Sequence, residues 1–256
     1  MSTADPQRLG PIAARLAQAW RDRQPIPAAA LDVRTEDDAL ALQLATWRRL
    51  EPGAARPGGW KVGAKGAEAP VSEAPLPAAC LLVSGARVPG GTLRGVELEL
   101  ALSVCREVDE AVATSPTALA SAFDAAFSAI EIVETRLADW SDASALLRQA
   151  DLMTHGALVL GPAVALDGGL PDLRTLEAEL LLGDEPALRT VGANPAQDLP
   201  RLLRELALHA IRRGLPLAPG QVVTTGSCTG MRFVPAGTRV RGRVGALPAV
   251  ELRFDS

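Results

Sequence analysis

The chain has 256 residues, 48% of them hydrophobic, which suits one large domain or two small ones with a substantial core. A net charge of −4, and no basic stripe interleaved with aromatics, speak against nucleic acid as a partner. Cys80, Cys105 and Cys228 are widely spaced, with no C-x-x-C, which excludes a Cys-rich zinc site or disulfide framework and suits a reduced cytoplasmic protein.

The opening residues lack a signal-peptide pattern, and no apolar stretch is long enough to span a bilayer. The first fifty residues read as helical. Ile12, Leu16, Ala19 and Trp20 recur at helical spacing over 11–23. Thr35-Glu36-Asp37-Asp38, an N-cap with acids in the first turn, opens a second helix that runs to Leu50, and Pro52-Gly53 ends it. Gly58-Gly59-Trp60-Lys61-Val62-Gly63 reads as a short strand framed by glycines. Residues 64–79, rich in Ala and Pro, are expected to form a loop. That loop would divide a helical N-terminal region, 1–75, from a catalytic mixed β domain, 76–256.

Strands are expected at 85–88 and 96–104, a helix from Ser115 to about Phe127, and strands at 129–134 and 156–161. Strands at 174–182 and 187–191 flank the turn Gly183-Asp184-Glu185. A long amphipathic helix covers 198–213, with Leu202, Leu203, Leu206 and Ala210 on one face, and Gly214 stops it. Three strands close the chain, at 221–225, 238–244 and 249–254. A helical head followed by strands with two inserted helices is an α+β arrangement around an antiparallel or mixed sheet.

The chemistry begins at Val96-Glu97-Leu98-Glu99-Leu100. On a strand, Glu97 and Glu99 share a face, roughly 7 Å apart at their roots. Such close carboxylates repel unless a proton or a cation lies between them, and Mg²⁺ or Mn²⁺ suits oxygen ligands. The same spacing recurs at Leu176-Glu177-Ala178-Glu179-Leu180, where a solvated hairpin face explains it, so the pattern alone is weak. Glu131 strengthens it, as a charge in a strand of Ala, Ile and Val about thirty residues on. Glu134 would point to the opposite face, in an exposed ion pair with Arg136 or Arg94.

Lysine occurs only at Lys61 and Lys65 in an arginine-rich chain. Lys61, among glycines, is the candidate proton carrier. Partly buried beside a cation, its pKa would fall and it would serve as an acid–base. Lys65 reads as a surface residue. His155, just before a strand, could face a cavity, whereas His209 falls on the long helix. Gly226-Ser227-Cys228-Thr229-Gly230 is not a nucleophile elbow. With Thr225, it reads as a polar turn whose hydroxyls and N–H groups could hold a small anion. No convincing histidine–acid pair is evident.

Taken together, Gly59-Trp60-Lys61-Val62-Gly63, Val96-Glu97-Leu98-Glu99, the segment from Ala129-Ile130-Glu131 to Asp139-Trp140, and Val223-Thr224-Thr225-Gly226-Ser227 resemble the 2-keto-4-pentenoate hydratase / 4-oxalocrotonate decarboxylase family. This family lies within the fumarylacetoacetate hydrolase superfamily. The resemblance runs from about residue 35 to the C-terminus, including the closing Val250-Glu251-Leu252-Arg253-Phe254 strand. It implies an α+β fold with a mostly β catalytic domain of the fumarylacetoacetate hydrolase C-terminal type. It also implies a divalent metal, Mg²⁺ or Mn²⁺, held by Glu97, Glu99 and Glu131, an active-site Lys61, and a small 2-oxo acid substrate; Thr225, Ser227, His155 and Arg232 are the candidate substrate contacts.

The reaction expected is hydration of a 2-hydroxy-2,4-dienoate to a 4-hydroxy-2-oxo acid. Decarboxylation of a 2-oxo-hex-3-enedioate is the alternative, with Arg232 a donor to a second carboxylate. Two segments depart from the family. Residues 70–77 lack the aspartate of an Asp-Glx-Pro stretch, and Asp151-Leu152-Met153-Thr154 stands where members often show Asp-Asn-Ala-Ser. These departures motivate a third possibility, a non-catalytic binding protein or partner subunit. A homo-oligomer, and a complex with a related lyase or an aldolase, are the assemblies expected.

Overall fold

In the computed structural model, which describes residues 4–167 and 169–256, helix α1 (Pro6–Asp22) opens with Asp5 accepting from the Gln7 N–H and Pro6 at the first helical position. That cap starts the helix five residues before the apolar spacing does. Helix α2 (Glu36–Leu50) begins as expected, with the Thr35 hydroxyl accepting from the Asp38 N–H. Strands β1 (Gly59–Ala64) and β2 (Val71–Leu76) then pair antiparallel. Residues 64–79 are therefore not a loop. β2 is buried along most of its length and shows no alternation, which hides it from a pattern search. Its Pro75 is tolerated because β2 is the edge of its sheet. The N-terminal helices are thus confined to the first fifty residues; β1 lies before the expected 75/76 boundary, β2 runs across it, and both belong to the main sheet.

Next come β3 (Leu81–Val83), β4 (Ala86–Val88), β5 (Gly95–Val104), and two short helices, α3 (Glu110–Thr114) and α4 (Pro116–Ala120). The helix expected to reach Phe127 ends at Ala120, and β6 (Phe123–Val133) takes over. The alanines at 122, 125 and 126 favour helix locally, but pairing with β5 from Gly95–Val133 to Val104–Phe123 overrides that preference. Then follow α5 (Ala145–Ala150), capped by Ser144 and not anticipated, β7 (His155–Leu160), β8 (Val164–Ala165), β9 (Glu177–Leu182) and β10 (Leu188–Val191). The chain ends with α6 (Leu199–Arg212), β11 (Val222–Ser227), β12 (Arg232–Phe233), β13 (Arg239–Val244) and β14 (Val250–Phe254).

The described strands form two mixed sheets. One runs β2-β1-β11-β5-β6-β7-β3, with β12 and β8 attached to β5 and β6, and the other runs β10-β9-β13-β14-β4. Most neighbours are antiparallel, and β1/β11, β3/β7 and β4/β14 are parallel. The sheets share one apolar core that includes Trp60, Leu98, Leu100, Ile130, Val240 and Leu252. Gly242 of β13 lies against Leu98, where a Cβ would collide with the leucine. Along β13 the arginines are exposed and Val240, Gly242 and Val244 are buried, the alternation of a half-wet sheet. Helices α1 and α2 build a second core with Leu137, Ala143 and Ala150.

Candidate active site

The face of the larger sheet turned away from the shared core carries the polar cluster. Alternation along β5 puts Glu97 and Glu99 on that face, and Glu131 of β6 stands directly opposite Glu97. Lys61 arrives from β1, at register with Thr224 of β11. The glycine frame matters here, because a Cβ on Gly59 would run into the Val222 carbonyl of the neighbouring strand. One oxygen from each of Glu97, Glu99 and Glu131 lies within 4.8 Å of the others. Glu177 and Glu179 make no such group. Glu177 is exposed and Glu179 pairs with Arg189 at 2.6 Å.

Lys61 Nζ donates to Glu131 Oε1 at 2.6 Å and to the Met153 carbonyl at 3.1 Å. An ammonium has three donors, so one is left beyond these two bonds. His155, fully buried at the start of β7, meets the same Glu131 oxygen through Nδ1 at 3.0 Å. The expectation that no histidine pairs with an acid is thereby corrected. His209 also pairs, with Glu73 at 2.8 Å, but on the far side of β2 beneath α6, where Arg213 joins them. Ser227 lies near enough to Glu97 to favour its charged form.

Not every expected residue belongs to the cluster. The Thr225 hydroxyl is buried and donates to the Leu100 carbonyl at 2.9 Å, away from the carboxylates. Thr224 takes its place, donating to Glu99 Oε2, and the Gly226 N–H adds a bond to the same oxygen at 3.0 Å. Alternation puts Thr224 on the Lys61 face, and a bulge in β11 between Thr224 and Ser227, with Gly226 at φ 91°, brings Ser227 onto the same face. Alternation from Lys61 across to Thr224 carried that signal; the bulge itself left none. Arg232 is exposed on β12, opposite Val96, and among the described residues it bonds to none of the cluster. Glu134 forms no ion pair with Arg136 or Arg94. It accepts from the Leu93 and Thr135 N–H groups at 3.0 and 2.9 Å.

The electrostatics are those of crowded acids around one cation. Burial and then Glu131 push Glu97 up to about 7, and burial, Glu131 and Glu97 push Glu99 well above the usual carboxylate range. Glu131 goes the other way. Burial opposes its ionisation, but Lys61 and His155 hold it down at about 2. The lowering expected of Lys61 supposes a cation beside it; among the protein's own groups the balance runs upward. Burial disfavours its charge, and the attraction of Glu131, Glu99 and Glu97 outweighs that and raises it. Burial lowers His155 and leaves it neutral, so Nδ1–H donates to Glu131. The buried Oε2 of Glu131 has no hydrogen-bond partner, and neither has Nε2 of His155. An all-oxygen set of converging carboxylates, two of them reluctant to ionise and one with an orphaned oxygen, fits a hard divalent cation.

The carbonyl that receives Lys61 belongs to an unusual turn. Leu152, Met153 and Thr154 all lie in the left-handed region, at φ 49°, 53° and 57°. For residues with a Cβ this costs about 1–2 kcal/mol each. Arg136 and Asp151 surround the turn; on sequence grounds Arg136 is only a possible partner of Glu134 and Asp151 only part of a departing segment, because neither stands in a periodic run.

Residues 68–254 match the family model described as fumarylacetoacetate (FAA) hydrolase, C-terminal, and the chain belongs to that family. Its fold is that of 4-oxalocrotonate decarboxylase from Pseudomonas putida G7. The TM-scores are 0.84 for the complex with magnesium and adipate and 0.82 for the complex with calcium and acetate, with 19% identity and 98% of each chain covered in both. The 2-hydroxyhepta-2,4-diene-1,7-dioate isomerase from Mycobacterium marinum is also similar, with a TM-score of 0.60 and 15% identity over 78% of this chain and 75% of that one. Among the described residues no helix is long and apolar enough to cross a membrane.

Proposed function

We propose that the protein is a divalent-metal-dependent lyase that adds water to a 2-hydroxy-2,4-dienoate, giving a 4-hydroxy-2-oxo acid. The observation that carries this reading is Lys61 and three carboxylates converging on one point, with Glu131 shared between the two. Glu97, Glu99 and Glu131 would hold Mg²⁺ or Mn²⁺. When bound, the cation would supply Lewis-acid stabilisation of the negative charge that develops on the 2-oxo oxygen. Lys61 enters protonated and has a free donor for the substrate. It gives a proton from Nζ to the terminal carbon and recovers one from the 2-hydroxyl as the dienol becomes a ketone, and water then adds across the remaining conjugated double bond, its hydroxyl to C4 and its proton to C3. The Thr224 hydroxyl and the Gly226 N–H hold Glu99 in place, with Ser227 beside Glu97.

Decarboxylation of a 2-oxo-hex-3-enedioate is the second reading, favoured by the full-length likeness to a decarboxylase. It uses the same residues and omits water addition. Hydrolysis of a carbon–carbon bond is disfavoured, because the His155–Glu131 pair is fully buried and Glu131 is already committed to Lys61. The experiment is product analysis with Mg²⁺ present. A 4-hydroxy-2-oxo acid supports hydration, and carbon dioxide supports decarboxylation. No turnover of either substrate class by the isolated chain would favour a non-catalytic binding protein or partner subunit. The same reading has the protein acting as a homo-oligomer, which light scattering checks.

A further inference from the structure

One guanidinium grips both ends of the left-handed turn. Arg136 donates through Nη2 to the Asp151 carbonyl before the turn and through Nη1 to the His155 carbonyl after it, each at 2.5 Å. Its Nε and its backbone N–H bond the two oxygens of the Asp151 carboxylate at 2.5 and 3.0 Å. Thr135 donates to that carboxylate at 2.8 Å. Inside the turn, Thr154 N–H returns to the Asp151 carbonyl at 2.8 Å, and the Thr154 carbonyl accepts from Glu134 N–H at 2.8 Å. Arg136 is 5% exposed and Asp151 2%. The indole of Trp20, on α1, lies over the guanidinium with its ring centre 4.3 Å from Cζ.

Leu, Met and Thr have no intrinsic liking for the left-handed region, unlike the Gly or Asn that usually occupies it. The surroundings must impose that conformation. A buried ion pair is a poor way to add stability, since apolar residues of the same shape often do as well. What this pair provides is geometry, because the turn it holds delivers the Met153 carbonyl to Lys61 Nζ. We propose that Arg136 and Asp151 are positioning residues for Lys61. They hold residues 152–154 left-handed, so that the Met153 carbonyl fixes the amine beside Glu131. Trp20 shields the clamp, which ties the N-terminal helix to the site. This rests on Lys61 being the working group of the proposed reaction.

The test uses the scarcity of lysine. Protein labelled with ¹⁵N-lysine shows only Lys61 and the exposed Lys65. In the parent the Lys61 ammonium protons should exchange slowly and give a resolved signal. In Asp151→Asn that signal should broaden or move toward that of Lys65, with Mg²⁺ affinity kept. Turnover per folded molecule, counted from the folded fraction measured by circular dichroism, should fall about tenfold to a hundredfold with KM little changed. Adding Thr154→Gly, which relaxes the turn, should recover part of the signal and of the turnover. An unchanged Lys61 signal in folded Asp151→Asn overturns the proposal. Should that variant not fold, Trp20→Leu decides, since it uncovers Arg136 without removing a charge. It should move the Lys61 signal in the same direction by less, and an unmoved signal overturns the proposal. If the signal responds as described while the parent turns over no 2-oxo acid, the positioning relation stands and the proposed reaction falls.

Discussion

Lys61 and Glu131 form an ion pair of 2.6 Å between Nζ and Oε1, and His155 leans on the same oxygen. The pair sets the resting state of the site. Glu131 is ionised and Lys61 protonated, while Glu97 and Glu99 resist ionisation. Binding a divalent cation would draw Glu131 away from sole service to Lys61. The amine would then be freer to give up its proton, because the attraction that raises it would be shared with the metal.

Replacing Lys61 tests that proton. Lys61→Arg keeps a positive charge opposite Glu131 but removes a group able to lose and regain a proton. Mg²⁺ affinity should stay near that of the parent, and turnover should fall by about two to four powers of ten. Activity within about threefold of the parent would move the proton transfer to another group. Glu73 is not that group, since it is buried against Arg213 and His209 beneath α6. His155 is the remaining base in contact with the cluster.

The two Glu-x-Glu pairs make a controlled comparison. On metal-stripped protein, Glu97→Gln should weaken Mg²⁺ binding by more than about a hundredfold, measured by calorimetry. Glu177→Gln should leave it unchanged, because Glu177 is exposed on β9 with no third carboxylate beside it. Equal affinity in parent and Glu97→Gln would remove the cation from this site.

What the sequence displayed was charge out of place. Glu99 and Glu131 stand in apolar strands, Lys61 is one of two lysines, and each was legible because burial makes such residues expensive. Features whose cause is tertiary were not legible. β2 lacks alternation because it is buried on both faces, and the helix assigned through Phe127 is strand because β5 pairs with it. Thr224, and not Thr225, meets Glu99 because alternation puts it on the Lys61 face, whereas the bulge at Gly226, which brings Ser227 onto that face, leaves no pattern to read. The left-handed turn at 152–154 carries no Gly or Asn to announce it, and Arg136 and Asp151 are fifteen residues apart.

The glycine at 59 is a stability prediction of a different kind. Its missing Cβ lets β1 lie against the Val222 carbonyl. Gly59→Ala must push β1 and β11 apart, and with them Lys61 and Thr224. Thermal or denaturant unfolding should show a loss of about 2–3 kcal/mol or more. Gly63→Ala, where a Cβ meets nothing, should cost far less. Similar melting of the two variants would contradict the close packing of β1 on β11.

Metal and pH should act on the fold in opposite senses. Glu97, at about 7, and Glu99, well above its ordinary 4.5, are raised in the folded chain. Between pH 4.5 and 7 these two acids bind more protons folded than unfolded, so the stability they contribute is lost as pH rises through that window. Glu131, held at about 2, contributes stability that is present above its ordinary 4.5 and is lost only as pH falls toward 2. His155, lowered by burial, opposes the decline near its ordinary 6.5, one group against two. The metal-free protein should therefore melt at progressively lower temperature from about pH 5 to about pH 7.5. Saturating Mg²⁺, which binds the ionised carboxylates, should flatten or reverse that slope, and Mg²⁺ affinity should climb over the same range. Glu97→Gln should remove much of the slope without metal. A metal-free melting temperature that rises steadily through this range would mean that Glu97 and Glu99 ionise normally, and the crowding of three carboxylates could not then be what calls for a cation.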